Sequence, residues 1–288
     1  GAVMQQEVFP DSASFLNPWT RQELQQGDTC TCFGFSSSAE AMAHRAGVNL
    51  QISPYFCWYY MDPRRSSIEH AIATANRVGY CPDDSYPFAG FPLKPPGLAA
   101  LQYANAHKDG FATKRINGKR ELMRAICQGS AIITDRVGVS MEHVEACIGY
   151  DKTKGFLIQG SGLVTDWWPW EELPKFTQLH RYTRSPFGFI PFGGYTPAAT
   201  PLFDDGRLMI PLLLEYTDWQ TPVTEVRDVF GAISEISGVT WNNDRCAADP
   251  MWKKHTKELH LPALSLNGET YYGVIVTGVE CTYEKDRA

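Results

Sequence analysis

The chain has 288 residues, of which 43% are hydrophobic and 20% are charged, as in an ordinary globular protein. Its formal net charge of -6 is the opposite of the basic surplus of a general nucleic-acid binder, so we expect no nucleic acid among its partners. No apolar run approaches the roughly 20 residues that span a bilayer, and the first residues do not resemble a signal peptide. We therefore expect no membrane partner and leave the compartment open.

Three helices are predicted in the first 80 residues. Apolar or small side chains recur at close to helical spacing around residues 35–46, which places Cys32 at or next to a helix N-terminus. Ser53 is the predicted N-cap of the second helix, with Pro54 in its first turn, and Gly79 ends the third. A proline-rich loop is expected over 80–100. The predicted helices are 32–46, 53–61 and 67–78.

The next part of the chain is predicted to be mainly strands, with one more helix over 119–128. Helices that come first and strands that come later favour an α+β fold over an alternating parallel sheet. The predicted strands are 113–116, 130–135, 144–150 and 156–159.

Residues 185–201 are dense in glycine, proline and aromatic residues, and predicted strands and a helix begin again beyond them. Residues 185–288 hold 8 Lys and Arg residues against 14 Asp and Glu residues, which accounts for the whole net charge. This acidic region could bind a protein partner. Strands are predicted over 207–216, 259–266 and 271–283, a helix over 221–238, and a hairpin turn at Asn267-Gly268. The predicted domains are residues 1–184, a linker over 185–201, and a small α+β accessory domain of unknown role over 202–288.

Two cysteines, Cys30 and Cys32, lie two positions apart in the stretch QGDTCTCFGFS. A structural zinc site usually takes two close ligand pairs, and the chain has no second one; His255 and His260 lie on what we interpret as a solvated or mixed face. We therefore predict no metal and no cofactor. The spacing of the 8 cysteines selects no disulfide partner, and we expect most of them to be reduced and structural.

The third interpretation of this pair is that Cys32 is a nucleophile. The positive end of the helix dipole lowers the pKa of a thiol at a helix start, and we expect this for Cys32. Such a thiol also needs a histidine to take its proton and a donor that stabilises an oxyanion.

The segments Gln26-Gly27 and Cys32 to Ser36 resemble the nucleophile segment of papain-like (family C1) cysteine peptidases, in a divergent bacterial or viral form. The resemblance implies Cys32 as nucleophile and His143 as base, with the Gln26 side chain and the Cys32 backbone N–H as the oxyanion hole. It also implies a papain-like fold, in which a helical subdomain and an antiparallel β-sheet subdomain flank a cleft. Further segments that resemble the family, in the same order, are 9–12, 52–56, 79–88, 142–144 and 148–151.

The chain departs from the family in three places. Thr29 stands where the family often has a disulfide cysteine. Arg64 and Arg65 stand near the position of a Gly-Gly wall that binds extended substrate, so they are candidate substrate-binding residues; the alternative is a solvated basic loop. The family orients its histidine with an asparagine, and counting from His143 without a gap puts Gln159 at that position. Matching the following serine instead puts Gly160 there.

Three tryptophans, Trp167, Trp168 and Trp170, resemble those that shield this region from water in the family, and Trp167 is a further candidate for substrate binding. The alternative is that they are core aromatics.

The resulting hypothesis is a cysteine endopeptidase that cleaves peptide or protein substrates through a thioester, with a Cys32–His143 dyad. One alternative is a weak or inactive papain-fold protein that serves as a structural or interaction module of an assembly. The other is an amidase or transferase on the same fold.

Overall fold

A computed structural model of the protein describes most of the first 187 residues and a set of strands beyond them. The described ranges are 6–15, 24–45, 48–137, 142–160, 165–187, 202–204, 207–216, 222–232, 239–241, 251–253, 257–266 and 269–277. None of the helices in these ranges is both long enough and apolar enough to cross a membrane.

Five α-helices lie in the described residues of the first half of the chain, and capping residues set the ends of two of them. Ser53 accepts a hydrogen bond from the backbone of Phe56, and Ser67 accepts one from the backbone of His70. Gly79 ends its helix with a φ of 83°, a conformation that favours glycine. The helices are α1 (Cys30–Arg45), α2 (Pro54–Tyr60), α3 (Ile68–Val78), α4 (Leu98–Asn105) and α5 (Gly118–Cys127).

The central helix α1 is buried along almost its whole length, from Thr31 to Ala43. Small side chains allow this close packing, and the hydroxyl of Ser38 finds partners inside the protein. Ser38 shares a hydrogen bond of 2.7 Å with the hydroxyl of Tyr182, and the Phe35 and Phe111 rings meet edge to face at 5.0 Å. Helix α1 is therefore held by groups from later parts of the chain.

An antiparallel sheet of seven strands packs against α1. Its strands run in the order β3-β8-β4-β5-β6-β7, and β2 pairs with β5. The strands are β2 (Ser12–Ser14), β3 (Ala112–Ile116), β4 (Ile132–Val137), β5 (Glu142–Asp151), β6 (Gly155–Gln159), β7 (Thr165–Trp168) and β8 (Phe176–Arg184).

A second sheet of eight strands contains all the described residues beyond 201 except Lys257, together with one strand from the start of the chain. Its main path is β1-β15-β14-β13-β10-β11. Strand β1 joins β15 in parallel. The strands are β1 (Gln6–Val8), β9 (Leu202–Asp204), β10 (Arg207–Tyr216), β11 (Pro222–Ala232), β12 (Val239–Trp241), β13 (Met251–Lys253), β14 (Glu258–Leu266) and β15 (Glu269–Thr277).

One predicted element is wrong. The helix predicted over 221–238 is strand β11 through Ala232, paired with β10 along nearly its whole length. The β-branched residues of β11 favour a strand, and β10 supplies the hydrogen-bonding partner. The described residues of the predicted α+β accessory domain are thus all in strands or a turn, and Asn267-Gly268 lies outside them. The other predicted helices and strands are confirmed where the chain is described; the strand predicted over 271–283 is confirmed through Thr277, and residues 278–283 lie outside the described ranges. The elements that were not predicted are α4, β1, β2, β7, β8, β9, β12 and β13.

Candidate active site

Cys32 lies in the first turn of α1, which begins at Cys30, two residues before the predicted start. The backbone N–H of Phe33 donates to the carbonyl of Thr29 at 3.0 Å, which closes this extra turn. Cys32 is fully buried, whereas Cys30 is half-buried. Residues two apart on a helix point in widely different directions, so the early start turns the two thiols to different surroundings.

Burial and Cys57 of helix α2 are the main influences on the thiol of Cys32. Burial raises its pKa well above the ordinary value, and Cys57 raises the pKa further through a hydrogen bond and its charge, with a smaller contribution from Cys30. The expected lowering by the helix dipole is therefore outweighed, because a thiolate in this site loses its hydration. Cys32 rests as a neutral thiol.

Helix α1 approaches β5 at Gly34, two residues after Cys32. A Cβ atom at Gly34 would lie only 2.7 Å from Cγ1 of Val144, so the absence of a side chain permits the contact. The same Cβ would lie 3.6 Å from the carbonyl oxygen of Glu145. Because Val144 follows His143 directly, the start of α1 and the start of β5 lie side by side.

His143 belongs to a polar cluster at the start of β5. Its Nε2 atom lies 3.8 Å from Oε2 of Glu145, and the Nε atom of Arg136 donates to Oε1 of Glu145 at 2.6 Å. Desolvation lowers the pKa of His143, Glu145 raises it, and Arg136 lowers it again. The net direction is downward, so His143 is mainly neutral at neutral pH and can accept a proton.

The structure brings the backbone segments of Cys32 and His143 together but does not join their side chains. No hydrogen bond or ion pair links the two among the described residues. The groups that act on Cys32 are Cys57 and Cys30, and those that act on His143 are Glu145 and Arg136. The two side chains are thus influenced by different neighbours in this structure.

Gln26 is exposed, and its backbone is held on both sides. Its N–H donates to the hydroxyl of Tyr55 at 3.1 Å, and its carbonyl accepts from the hydroxyl of Thr29 at 2.9 Å. The next residue, Gly27, has a φ of 67° and lies under the ring of Phe91. These contacts fix the main chain of Gln26 just before α1 and leave its side chain at the surface.

Gln159, the predicted partner of His143, ends strand β6 opposite Ala146. Directly paired residues of an antiparallel sheet share a face, and faces alternate along a strand. His143 is three positions from Ala146, so its side chain and that of Gln159 belong to opposite faces. No hydrogen bond joins the two side chains within the described ranges. Gly160 is described, whereas Ser161 is not.

The three candidate substrate-binding residues are at the surface. Arg64 makes a bidentate contact with Asp62, with distances of 3.1 Å from both Nε and Nη2, in a short 3-10 helix that also contains Arg65. Trp167 is 40% exposed, and the Nζ atom of Lys154 lies 5.5 Å from its ring centroid. Their roles remain predictions.

Trp168 is the tryptophan that connects to the His143 cluster. The guanidinium of Arg136 lies 5.1 Å from its ring centroid, and the ring meets Phe176 edge to face at 5.3 Å. Sequence reasoning missed Glu145 and Arg136. The two-residue spacing of His143 and Glu145 on a predicted strand is the signal that would have placed both on one face.

No group of three or more His, Cys, Asp or Glu side chains in the described ranges is arranged to hold a metal ion. The six cysteines of those ranges are reduced. They are Cys30, Cys32, Cys57, Cys81, Cys127 and Cys147.

Comparisons with known proteins identify the fold. No protein-family model matches the sequence, and no curated protein is significantly similar to it. The structure is similar to the crystal structure of xylellain, a cysteine protease from Xylella fastidiosa, with a TM-score of 0.53 and 14% sequence identity. The similarity covers 61% of this chain and 86% of that chain. With its helical part and its antiparallel sheet, the chain therefore has a papain-like fold.

Proposed function

We propose that this chain is a cysteine endopeptidase related to family C1, in which Cys32 is the nucleophile and His143 is the base. The Gln26 side chain and the Cys32 backbone N–H serve as the oxyanion hole, and peptides or proteins are the substrates. Trp167 and the Arg64–Arg65 pair contact bound substrate. The similarity to a cysteine protease supports the fold on which this assignment depends.

The observation that carries the proposal is the close packing of α1 on β5. Gly34 contacts Val144 so closely that Cys32, two residues before Gly34, and His143, one residue before Val144, belong to adjacent segments. A nucleophile and its base must come within hydrogen-bonding reach, and catalytic contacts are often longer in a protein without substrate. The packing brings the two segments together, and the proposal requires the Cys32 thiol to reach His143 when substrate binds.

The raised pKa of Cys32 and the lowered pKa of His143 favour proton transfer during the attack over a thiolate–imidazolium pair that forms beforehand. Burial keeps Cys32 a thiol, and desolvation keeps His143 neutral. When the sulfur of Cys32 attacks the peptide carbonyl, His143 takes the thiol proton, and the carbonyl oxygen becomes an oxyanion held near Gln26. The C–N bond breaks as His143 returns the proton to the leaving amine. Water, deprotonated by His143, then hydrolyses the thioester and restores the thiol.

The burial of Cys32 favours a second candidate function, a weak or inactive papain-fold protein that acts as a structural or interaction module. In that case the contact of Cys32 with Cys57 is permanent, and the thiol only fills the core. The two candidates differ in one measurable property, which is whether Cys32 turns toward His143 when a substrate-like molecule binds.

A peptidyl epoxide tests this property because it needs an activated thiol and a bound peptide. For the peptidase we expect labelling of Cys32 in the intact protein, located by mass spectrometry, together with hydrolysis of a fluorogenic peptide library. Both should be lost in Cys32→Ala and in His143→Ala. The Cys30→Ala variant is the matched control and should keep both, because it removes the neighbouring thiol and leaves the proposed dyad intact.

Three outcomes separate the candidates. Labelling confined to Cys32 and dependent on His143 supports the peptidase. Labelling of Cys30 alone, or none in a folded protein, supports the inactive module. Strong labelling of Cys32 with complete inertness toward peptides supports an amidase or transferase on the same fold.

A further inference from the structure

Glu145 is a buried acid beside His143 to which the sequence assigns no role. Only 8% of its side chain is exposed, and its two carboxylate oxygens face two different basic groups. A buried carboxylate is costly unless it is paired, so a position of this kind needs an explanation. Resting on the function proposed above, we infer that Glu145 is a positioning residue that holds the His143 imidazole in one orientation and one tautomer.

The geometry of β5 places Glu145 correctly for this task. Residues two apart on a strand point to the same face, and Nε2 of His143 lies 3.8 Å from Oε2 of Glu145. This distance is longer than a hydrogen bond, and a small rotation of the ring would close it. The pairing of Glu145 with Thr134 on β4 fixes its backbone, and the Thr134 hydroxyl donates to the Glu145 carbonyl at 3.1 Å.

Arg136 and Trp168 brace the carboxylate from its other side. Arg136 pairs with His143 across the two strands and donates to Oε1 of Glu145, which leaves Oε2 directed at the imidazole. The guanidinium in turn lies over the ring of Trp168. The carboxylate thus has a fixed position and a balanced charge, as a group that orients a histidine requires.

When Nε2 of His143 pairs with Glu145, Nδ1 is the nitrogen that can take the proton of Cys32. In neutral imidazole one nitrogen carries the proton and the other accepts, so a carboxylate at Nε2 favours the tautomer with a bare Nδ1. Gln159 does not compete for this role in the described structure, because it belongs to the opposite face of the sheet. Glu145 therefore takes the place of the orienting amide that Gln159 was predicted to supply.

The test compares Glu145→Ala with Glu145→Gln, since glutamine keeps an acceptor oxygen and loses the charge. The tautomer of His143 is read from two-bond couplings in nitrogen-15 NMR spectra, assigned by the loss of signals in His143→Gln. We expect the wild type and Glu145→Gln to keep the proton on Nε2, and Glu145→Ala to give a mixture. We also expect Glu145→Ala to slow Cys32 labelling by the peptidyl epoxide about tenfold or more, with Glu145→Gln restoring most of the rate.

Arg136→Gln is the control for general disruption of the cluster. It removes the brace on Glu145 but keeps the carboxylate, so we expect a smaller loss of the Nε2-protonated tautomer than in Glu145→Ala, and a higher pKa of His143 because a positive charge is lost. An unchanged tautomer in Glu145→Ala would overturn the inference. If wild-type Cys32 is never labelled, the proposed function fails, whereas the NMR result still decides the role of Glu145.

Discussion

The contact of Gly34 with β5 leads to a quantitative prediction for Gly34→Ala. Alanine in a helix interior is favoured over glycine by about 0.5–1 kcal/mol. The added methyl would lie 2.7 Å from Cγ1 of Val144 and 3.3 Å from Cγ2 of Ile133, and such overpacking costs about 1–3 kcal/mol. Because the two methyl groups end short, stiff side chains, we expect the cost to exceed the gain and the free energy of unfolding to fall by about 1 kcal/mol.

A second substitution shows whether the clash with Val144 causes the expected loss of stability in Gly34→Ala. Val144→Ala removes the nearest atom, so in that background Gly34→Ala should recover its helix-propensity gain and fill part of the space. The two changes should therefore be non-additive, with a coupling of about 0.5–3 kcal/mol in favour of the double variant.

Urea unfolding of the four proteins, with m-values checked for constancy, measures this coupling. The single Gly34→Ala variant should also lose epoxide labelling of Cys32, because α1 must move away from β5 to admit the methyl group. A Gly34→Ala protein that is more stable than the wild type, or strict additivity with Val144→Ala, would refute the packing argument.

Three further predictions concern other groups. Ser53→Ala should lower the free energy of unfolding by about 1 kcal/mol, because Ser53 caps α2 and also donates to the carbonyl of Tyr86 at 2.8 Å; an unchanged urea midpoint would contradict this. Burial lowers the pKa of His180, so its contribution to stability is present above the ordinary pKa near 6.5 and is lost as the pH falls through the lower folded value. His180→Gln should therefore lose less stability than the wild type between pH 7 and pH 5 in urea titrations, and an equal loss would exclude this role. Cys57→Ala should lower the pKa of Cys32 and speed its reaction with iodoacetamide; the buried Cys127→Ala change is the control, and equal rates in the two variants would remove Cys57 as a cause.

Local signals in the sequence predicted the ends of α2 and α3 well, whereas α4 was missed. Ser53, Ser67 and Gly79 act on their own helix ends, so a short stretch of sequence contains the information that defines those ends. The strand β11 was missed for the opposite reason. Its apolar residues recur at positions that suit a helix, and only the pairing with β10, brought from elsewhere in the chain, makes it a strand.

The residue types of the site could be predicted from the sequence, whereas the directions of their side chains were harder to predict. The order of Gln26, Cys32 and His143 along the chain suggested a dyad, but the sequence does not reveal that α1 begins at Cys30 and so turns Cys32 toward Cys57. Which face a strand residue occupies depends on register, and register separates Gln159 from His143.

The parallel pairing of β1 with β15 has a consequence for biosynthesis. Gln6 lies opposite Glu269 and Val8 opposite Tyr271, so strands from the two extremes of the described chain are neighbours. Only the short segment around Pro10 separates β1 from β2, which pairs with β5 of the other sheet. At translation rates of about 5–20 residues per second, the stretch from the end of β5 to the end of β15 takes roughly 6–25 seconds to synthesise, so β1 waits for about that time after β2 and β5 can pair. Strand β1 thus leaves the ribosome before the other described strands and is among the last of them to find its partner.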